Sequence, residues 1–239
     1  LLRILFILTL CIFYFNHNMV AQSELEAQTI ITVDNIIGYE NTGLFNGTRY
    51  VELYRTANER HKFFISSEFQ KGSLMYNDHF YGNIHLKYDL EADEVLLDIG
   101  YKYKFPILKL YKERISEFIL GGKKFINIGN SGSDITKGFH EILWTSDDLR
   151  LLKKHRKKKF RRIFQTQVYF EFEEDNSYYF NYEDRFYPLE KKGDLAKVFP
   201  QFKKEINRLY NKKLIKINPD GNFILIFGEL QKLMENEKI

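Results

Sequence analysis

Along much of the chain, apolar side chains recur at every second position in short runs separated by polar turns. Residues 23–35 read as a lead-in passing into a first strand with Ile30, Ile31 and Val33 on its apolar side. Asn41 to Thr48 reads as a turn region, since Asn and Gly accept the dihedrals that turns need. Tyr50 to Tyr54 alternates in period two, and Lys62 to Ser66 offers another short strand. Gly72 to Tyr76, then Asn77-Asp78, then Phe80-Tyr81 predicts a hairpin. The clearest alternation follows: Ile84, Leu86 and Tyr88, a turn over Asp89 to Asp93, then Val95, Leu97 and Ile99. Ile115 to Leu120 and Phe125 to Ile128 flank Gly121-Gly122, a pair free to take the positive φ angles of a two-residue turn. Asn130 to Asp134 reads as a loop, and Phe139, Glu141 and Leu143 give one more strand.

Basic residues interrupt the pattern over 147–163. It resumes at Val168 to Phe172, for which Ser177 to Tyr182 is the expected partner across Glu173 to Asn176. Phe186 to Leu189 reads as an edge piece, the place where Pro188 is tolerated. From residue 190 the period lengthens. Asp194 is placed to cap a helix holding Leu195, Val198 and Phe199, and Phe202, Ile206, Leu209 and Tyr210 predict an amphipathic helix over Phe202 to Lys212. Asn218 to Asn222 reads as a turn, and 223–235 suits a last helix, with Ile224 to Phe227 open to a strand reading. The expected fold is mainly β with C-terminal helices: an antiparallel meander or half-open barrel of successive hairpins over 23–189, and a helical region over 190–239 packed on the same domain.

Residues 1–22 have a different character. Arg3 precedes Ile4 to Phe15, an apolar run of 12 residues, and Met19-Val20-Ala21-Gln22 offers a cleavage point near Ala21. This is the order of a secretory signal peptide. A helix of that length spans about 18 Å, short of a hydrocarbon layer of roughly 30 Å. Cys11 lies inside the apolar run behind bulky Leu10, the wrong place for lipid attachment. The expectation is an exported protein of the periplasm or cell surface, with no transmembrane span once the signal is removed. Cys11 is the only cysteine, so the mature chain would hold no disulfide and no thiolate.

Net charge is +4, which argues for no particular partner. Locally the picture changes. Lys153, Lys154, Arg156, Lys157, Lys158, Lys159, Arg161 and Arg162 place eight cations in ten residues, around His155 and Phe160. Such a block can neutralise phosphates or anionic head groups; it can equally be a solvated face balanced by the acidic stretch Glu171 to Asp175. Export removes nucleic acid from the expected partners. His61, His79, His85 and His140 carry no metal-ligand spacing, and no metal or cofactor is expected. There is no G-x-S-x-G elbow and no phosphate-binding glycine loop, so no catalytic residue is assigned. Aromatic residues make up 16% of the chain, enough to line a concave sheet as well as fill a core.

Three segments carry a family resemblance: Phe69 to Tyr76 (FQKGSLMY), Leu86 to Leu90 (LKYDL) and Phe199 to Ile206 (FPQFKKEI). With the Ala21-Gln22 ending, the chain resembles a loose group of uncharacterised exported β-rich proteins of Bacteroidota. The resemblance implies a Gram-negative envelope or secreted location and brings no catalytic residues. The sequence thus points to a non-enzymatic envelope or secreted protein with a binding or scaffolding role, its partner an envelope protein, a lipid or a glycan. A carrier of a lipid or other apolar ligand in a curved sheet, and a hydrolase whose residues converge only on folding, are the alternatives.

Overall fold

A computed structural model describes residues 28–32, 38, 41–56, 59–129 and 136–237. The signal segment 1–22, Cys11 and the loop at Asn130 to Asp134 lie outside the described residues. Among the described residues thirteen strands are present: β1 (Gly47–Arg49), β2 (Gln70–Tyr76), β3 (His79–Asp89), β4 (Glu94–Asp98), β5 (Ile107–Leu110), β6 (Ile115–Leu120), β7 (Lys123–Asn127), β8 (Phe139–Thr145), β9 (Leu149–Lys154), β10 (Lys157–Phe164), β11 (Gln167–Glu174), β12 (Ser177–Tyr182) and β13 (Arg185–Pro188). Eleven form one open antiparallel sheet in the order β1-β5-β4-β3-β2-β6-β7-β8-β9-β12-β13, while β10 and β11 form a separate two-stranded ribbon. Four helices follow: α1 (Lys192–Val198), α2 (Lys203–Leu209), α3 (Lys212–Ile217) and α4 (Pro219–Glu237). The chain is therefore mainly β, a meander with a helical C-terminal part.

Turn chemistry sets the hairpins. Asn77-Asp78, Gly121-Gly122 and Glu183-Asp184 each supply two successive positive φ angles, the geometry that matches the twist of the strands on either side. Gly138, at φ 102, is needed for a second reason: a Cβ there would lie 1.9 Å from the Asp93 carboxylate. That carboxylate accepts from the Tyr88 hydroxyl at 2.7 Å and pairs with Lys112.

Two apolar cores share one face of the sheet. The first gathers Leu74, Tyr81, Tyr88, Phe118, Phe125 and Phe139 from β2, β3 and β6–β8. The second gathers Leu149, Leu151 and Phe180 with Leu195, Phe199, Ile206, Phe223, Phe227 and Leu230 of the helices. Between them runs a polar seam, visible along one register row: Phe118 faces Phe125, Phe125 faces Glu141, Glu141 faces Lys153 and Lys153 faces Tyr178.

Several expectations need correction. Ile30 and Ile31 lie in a helical turn. The first sheet strand is Gly47–Arg49, overlapping the end of the expected turn region, and Tyr50 to Tyr54 joins no strand; of that segment Tyr54 packs on the ribbon, while Tyr50 and Glu52 meet Lys62. Phe63 makes only an isolated bridge to Asp89. The basic interruption at 147–163 is in fact β9 and β10. β11 pairs with β10, and β12 with β9 and β13, so the proposed β11–β12 hairpin does not form. Asn218 to Asn222 is the start of α4: the Asn218 carboxamide accepts from the Gly221 amide at 3.0 Å, with Pro219 at the first helical position, where its missing N–H costs nothing. Ile224 to Phe227 is helical.

Candidate functional site

Residues 149–182 form one continuous hairpin. The register that pairs Leu149 with Tyr182 and Lys154 with Ser177 carries on, without a slip, to Lys157 with Glu174 and Phe164 with Gln167. At the junction one rung is rebuilt by a side chain: the Arg156 amide donates to the Asn176 carboxamide oxygen at 3.2 Å, and the Asp175 amide donates to the Arg156 carbonyl at 2.8 Å. The inner half, β9 and β12, belongs to the large sheet. The outer half leaves it and leans on residues 54–55 and 60–63. The Phe170 amide donates to the Arg55 carbonyl, the Phe172 amide to the Arg60 carbonyl, and the Tyr54 ring packs edge-on against Phe170 and Phe172.

The basic run lies along this hairpin, and most of its charge is engaged within the chain. Lys153 is buried and donates to Asp220 at the start of α4 at 2.8 Å. Lys154, also buried, donates to the Lys137 carbonyl, and burial lowers its pKa. Lys157 reaches the His61 and Phe63 carbonyls at 2.7 and 3.0 Å, again with its pKa lowered by burial. Lys158 pairs with Asp175, Lys159 with Glu91 and the Tyr54 hydroxyl, and Arg162 with Glu171. Arg156 and Arg161 are exposed and have no hydrogen-bonded or ion-paired side-chain partner among the described residues. They are what the run offers to an external anion.

The seam behind the hairpin holds the most constrained titratable groups. Glu141 is buried and accepts from Lys123 at 2.7 Å, with its other oxygen 2.6 Å from His155 Nε2. Burial raises its pKa, but the hydrogen bonds from His155 and Lys123 outweigh burial and hold it below the usual carboxylate range. The His155 ring packs edge-on against Phe64 at 4.9 Å. On the opposite face, His140 is fully buried against Tyr179. Its Nδ1 lies 3.1 Å from the Gly138 carbonyl, and its Nε2 has no hydrogen-bond partner among the described residues. Burial drives this imidazole down to about 4, against the Gly138 carbonyl and helped by Lys154.

A cleft of about 320 Å³ opens beside the ribbon, lined in part by Tyr50, Tyr54, Lys62, Asp89, Glu91 and Glu94. Most of its charges are matched within the chain: Lys62 with Asp89 at 2.8 Å and Glu52 at 3.2 Å, Glu91 with Lys159, and Glu94 with Lys109, while Arg49 lies over the Phe105 ring. Burial raises the Asp89 pKa despite the ammonium beside it. Two further clefts, of about 190 and 490 Å³, lie at Leu44–Leu97 and at the β12–β13 turn beside α1. Neither Glu141 nor His155 lines any of the three. His79 and His85 are exposed on β3, and no group of three His, Cys, Asp or Glu side chains gathers among the described residues. No helix of the described residues is long and apolar enough to cross a membrane.

The apolar end of the ribbon was not legible as a site in the sequence. Ile163 and Val168 are cross-strand partners beside the turn at Gln165-Thr166, and they are 62% and 38% exposed. Among the described strands β10 pairs with β11 alone; at its base the Lys157 amide donates to the Leu90 carbonyl at 3.4 Å, and toward the turn no described strand covers its outer edge.

No family model matches the chain, and no curated protein or solved structure matches it either.

Proposed function

We propose that the chain is an exported, non-enzymatic envelope protein that works by binding a partner on its projecting ribbon. Export is supported by the signal-like order of residues 1–22 and by the resemblance to Bacteroidota exported proteins. The observation that carries the binding role is the exposed Ile163–Val168 pair at the end of a ribbon whose β10 edge, beyond Lys157, is paired with no described strand. An open edge accepts an added strand through its main chain, and an adjoining apolar pair gives that strand side-chain contacts. Arg161, on the same ribbon face as Ile163, supplies an unpaired cation next to them. An envelope protein with an extended, partly acidic segment fits this surface.

The test is expression of the whole chain in a Gram-negative host with a photo-crosslinking residue in place of Ile163. Fractionation and N-terminal sequencing follow. The expected result is an envelope-located chain beginning near Gln22, with a discrete cross-linked envelope product that is lost when Val168→Lys is added. Retention in the cytoplasm, or a product indifferent to Val168→Lys, sinks the reading.

A further inference from the structure

The quieter basic stretch of the sequence is the one left unneutralised by the fold. Residues 203–217 read KKEINRLYNKKLIKI, six cations against the single acid Glu205. Lys203, Lys204, Arg208, Lys212, Lys213 and Lys216 are all exposed, and none has a hydrogen-bonded or ion-paired side-chain partner among the described residues. The contrast with 153–162 is direct: there, six of eight cations are held by carboxylates, carbonyls or a hydroxyl of the same chain.

Exposed aliphatic side chains accompany this charge. Ile217 is 80% exposed, Leu225 69% and Leu214 50%, while Ile215 between the first and third turns inward against the helical core. Leu214 and Ile217 are three residues apart on α3 and share a face. The Asn222 carboxamide of α4 donates to the Leu214 carbonyl at 3.1 Å, and Leu225, three residues beyond Asn222, continues that side of α4. Lys213 neighbours Ile217 one turn away, and Lys212 and Lys216 stack beside each other at the same spacing.

We infer that this outer face of α3, extended by Leu225, docks on an anionic lipid surface. Leu214, Ile217 and Leu225 enter the head-group region, and Lys212, Lys213 and Lys216 meet the lipid phosphates, their stems lying along the apolar boundary. Charge complementarity selects an anionic leaflet, and shape selects a leaflet over an acidic polypeptide. The aliphatic tips project from the surface and line none of the three clefts, whereas an amphipathic peptide is received in a groove. A fluid interface needs no preformed wall.

This deepens the envelope reading and rests on it for where the lipid is met, but the purified chain tests it apart from export. The measurement is co-sedimentation with vesicles of phosphatidylethanolamine and phosphatidylglycerol, against phosphatidylcholine alone. Binding is expected to the anionic vesicles only, and to weaken with salt. The triple reversal Lys212→Glu, Lys213→Glu, Lys216→Glu is expected to cost on the order of a hundredfold in partitioning, and the pair Leu214→Ser, Ile217→Ser is expected to abolish binding. The pair Lys71→Glu, Arg185→Glu, exposed cations on the sheet, leaves it unchanged. Brominated anionic lipid should quench the added tryptophan of Ile217→Trp, while Trp144 in the parent, half-buried beneath α4, stays bright. Absent or charge-indifferent binding, an unquenched Ile217→Trp, equal loss in the Lys71 and Arg185 variant, or preference for polyglutamate over vesicles overturns the inference. A chain retained in the cytoplasm that still binds vesicles refutes export alone; an exported chain that ignores them refutes only this docking.

Discussion

His140 shows how one buried side chain sets a pH response for the whole molecule. Its imidazole is enclosed between Gly138 and Tyr179, with Nε2 unsatisfied, and burial lowers its pKa from 6.5 to about 4. Between those values the unfolded chain binds a proton that the folded chain refuses, so stability falls as pH drops through this window. The displacement corresponds to about 3 kcal/mol across the window. Glu141 acts lower on the scale and for the opposite reason: its pKa is depressed, so its contribution is present above its ordinary value of 4.5 and is lost as pH falls below that. Urea unfolding from pH 7 to pH 4 should therefore show a declining midpoint in the parent and a much flatter one in His140→Gln. An unchanged slope in the variant would assign the effect to another group.

At the scale of elements, the junction between β9–β12 and the ribbon depends on a single carboxamide. Asn176 replaces a backbone rung for the Arg156 amide, letting the hairpin leave the sheet without losing register. In Asn176→Ala that amide loses its acceptor, at a cost of about 1 kcal/mol. Hydrogen exchange should then accelerate about fivefold within 157–174 while 149–154 and 177–182 keep their protection; uniform acceleration would show that the two halves open as one. The same hairpin marks the limit of what alternation can reveal. β2–β4 and β6–β7 were legible because apolar positions alternate and Asn-Asp, the acidic stretch after Tyr88, or Gly-Gly closes the turn. β9 was hidden because Lys153 and Lys154 are buried on long stems with partners supplied by Asp220 and the Lys137 carbonyl, contacts distant in sequence. β10 was hidden because its turn, Gln165-Thr166, carries neither Gly nor Asn, though Gln165 takes φ 55. Lys212–Ile217 escaped notice as a helix since six residues are too few to display a period. The basic run was plain in the sequence, but its pairing was not, because its partners come from 61–63, 91, 137, 171, 175 and 220.

For the whole molecule, the two apolar cores and the seam between them make the sheet a frame that does not depend on the ribbon. The ribbon's support is local, from Tyr54, Arg60, His61, Phe63 and Glu91. Replacing 157–174 by Asn-Gly should leave cooperative unfolding intact, with chemical-shift changes confined to 50–63 and 89–91; loss of cooperativity would show that the ribbon is part of the frame. The uninterrupted register of 149–182 has a kinetic meaning as well. Once Gln165-Thr166 closes, each further rung adds only a small loop to a structure already zipped, so no long search is required of any pair. Leu149 and Tyr182, the residues farthest apart along the hairpin, are delivered to each other by the strands between them. β12 therefore reaches the sheet already joined to β9, a ready template for β13 and for the helices that cover both.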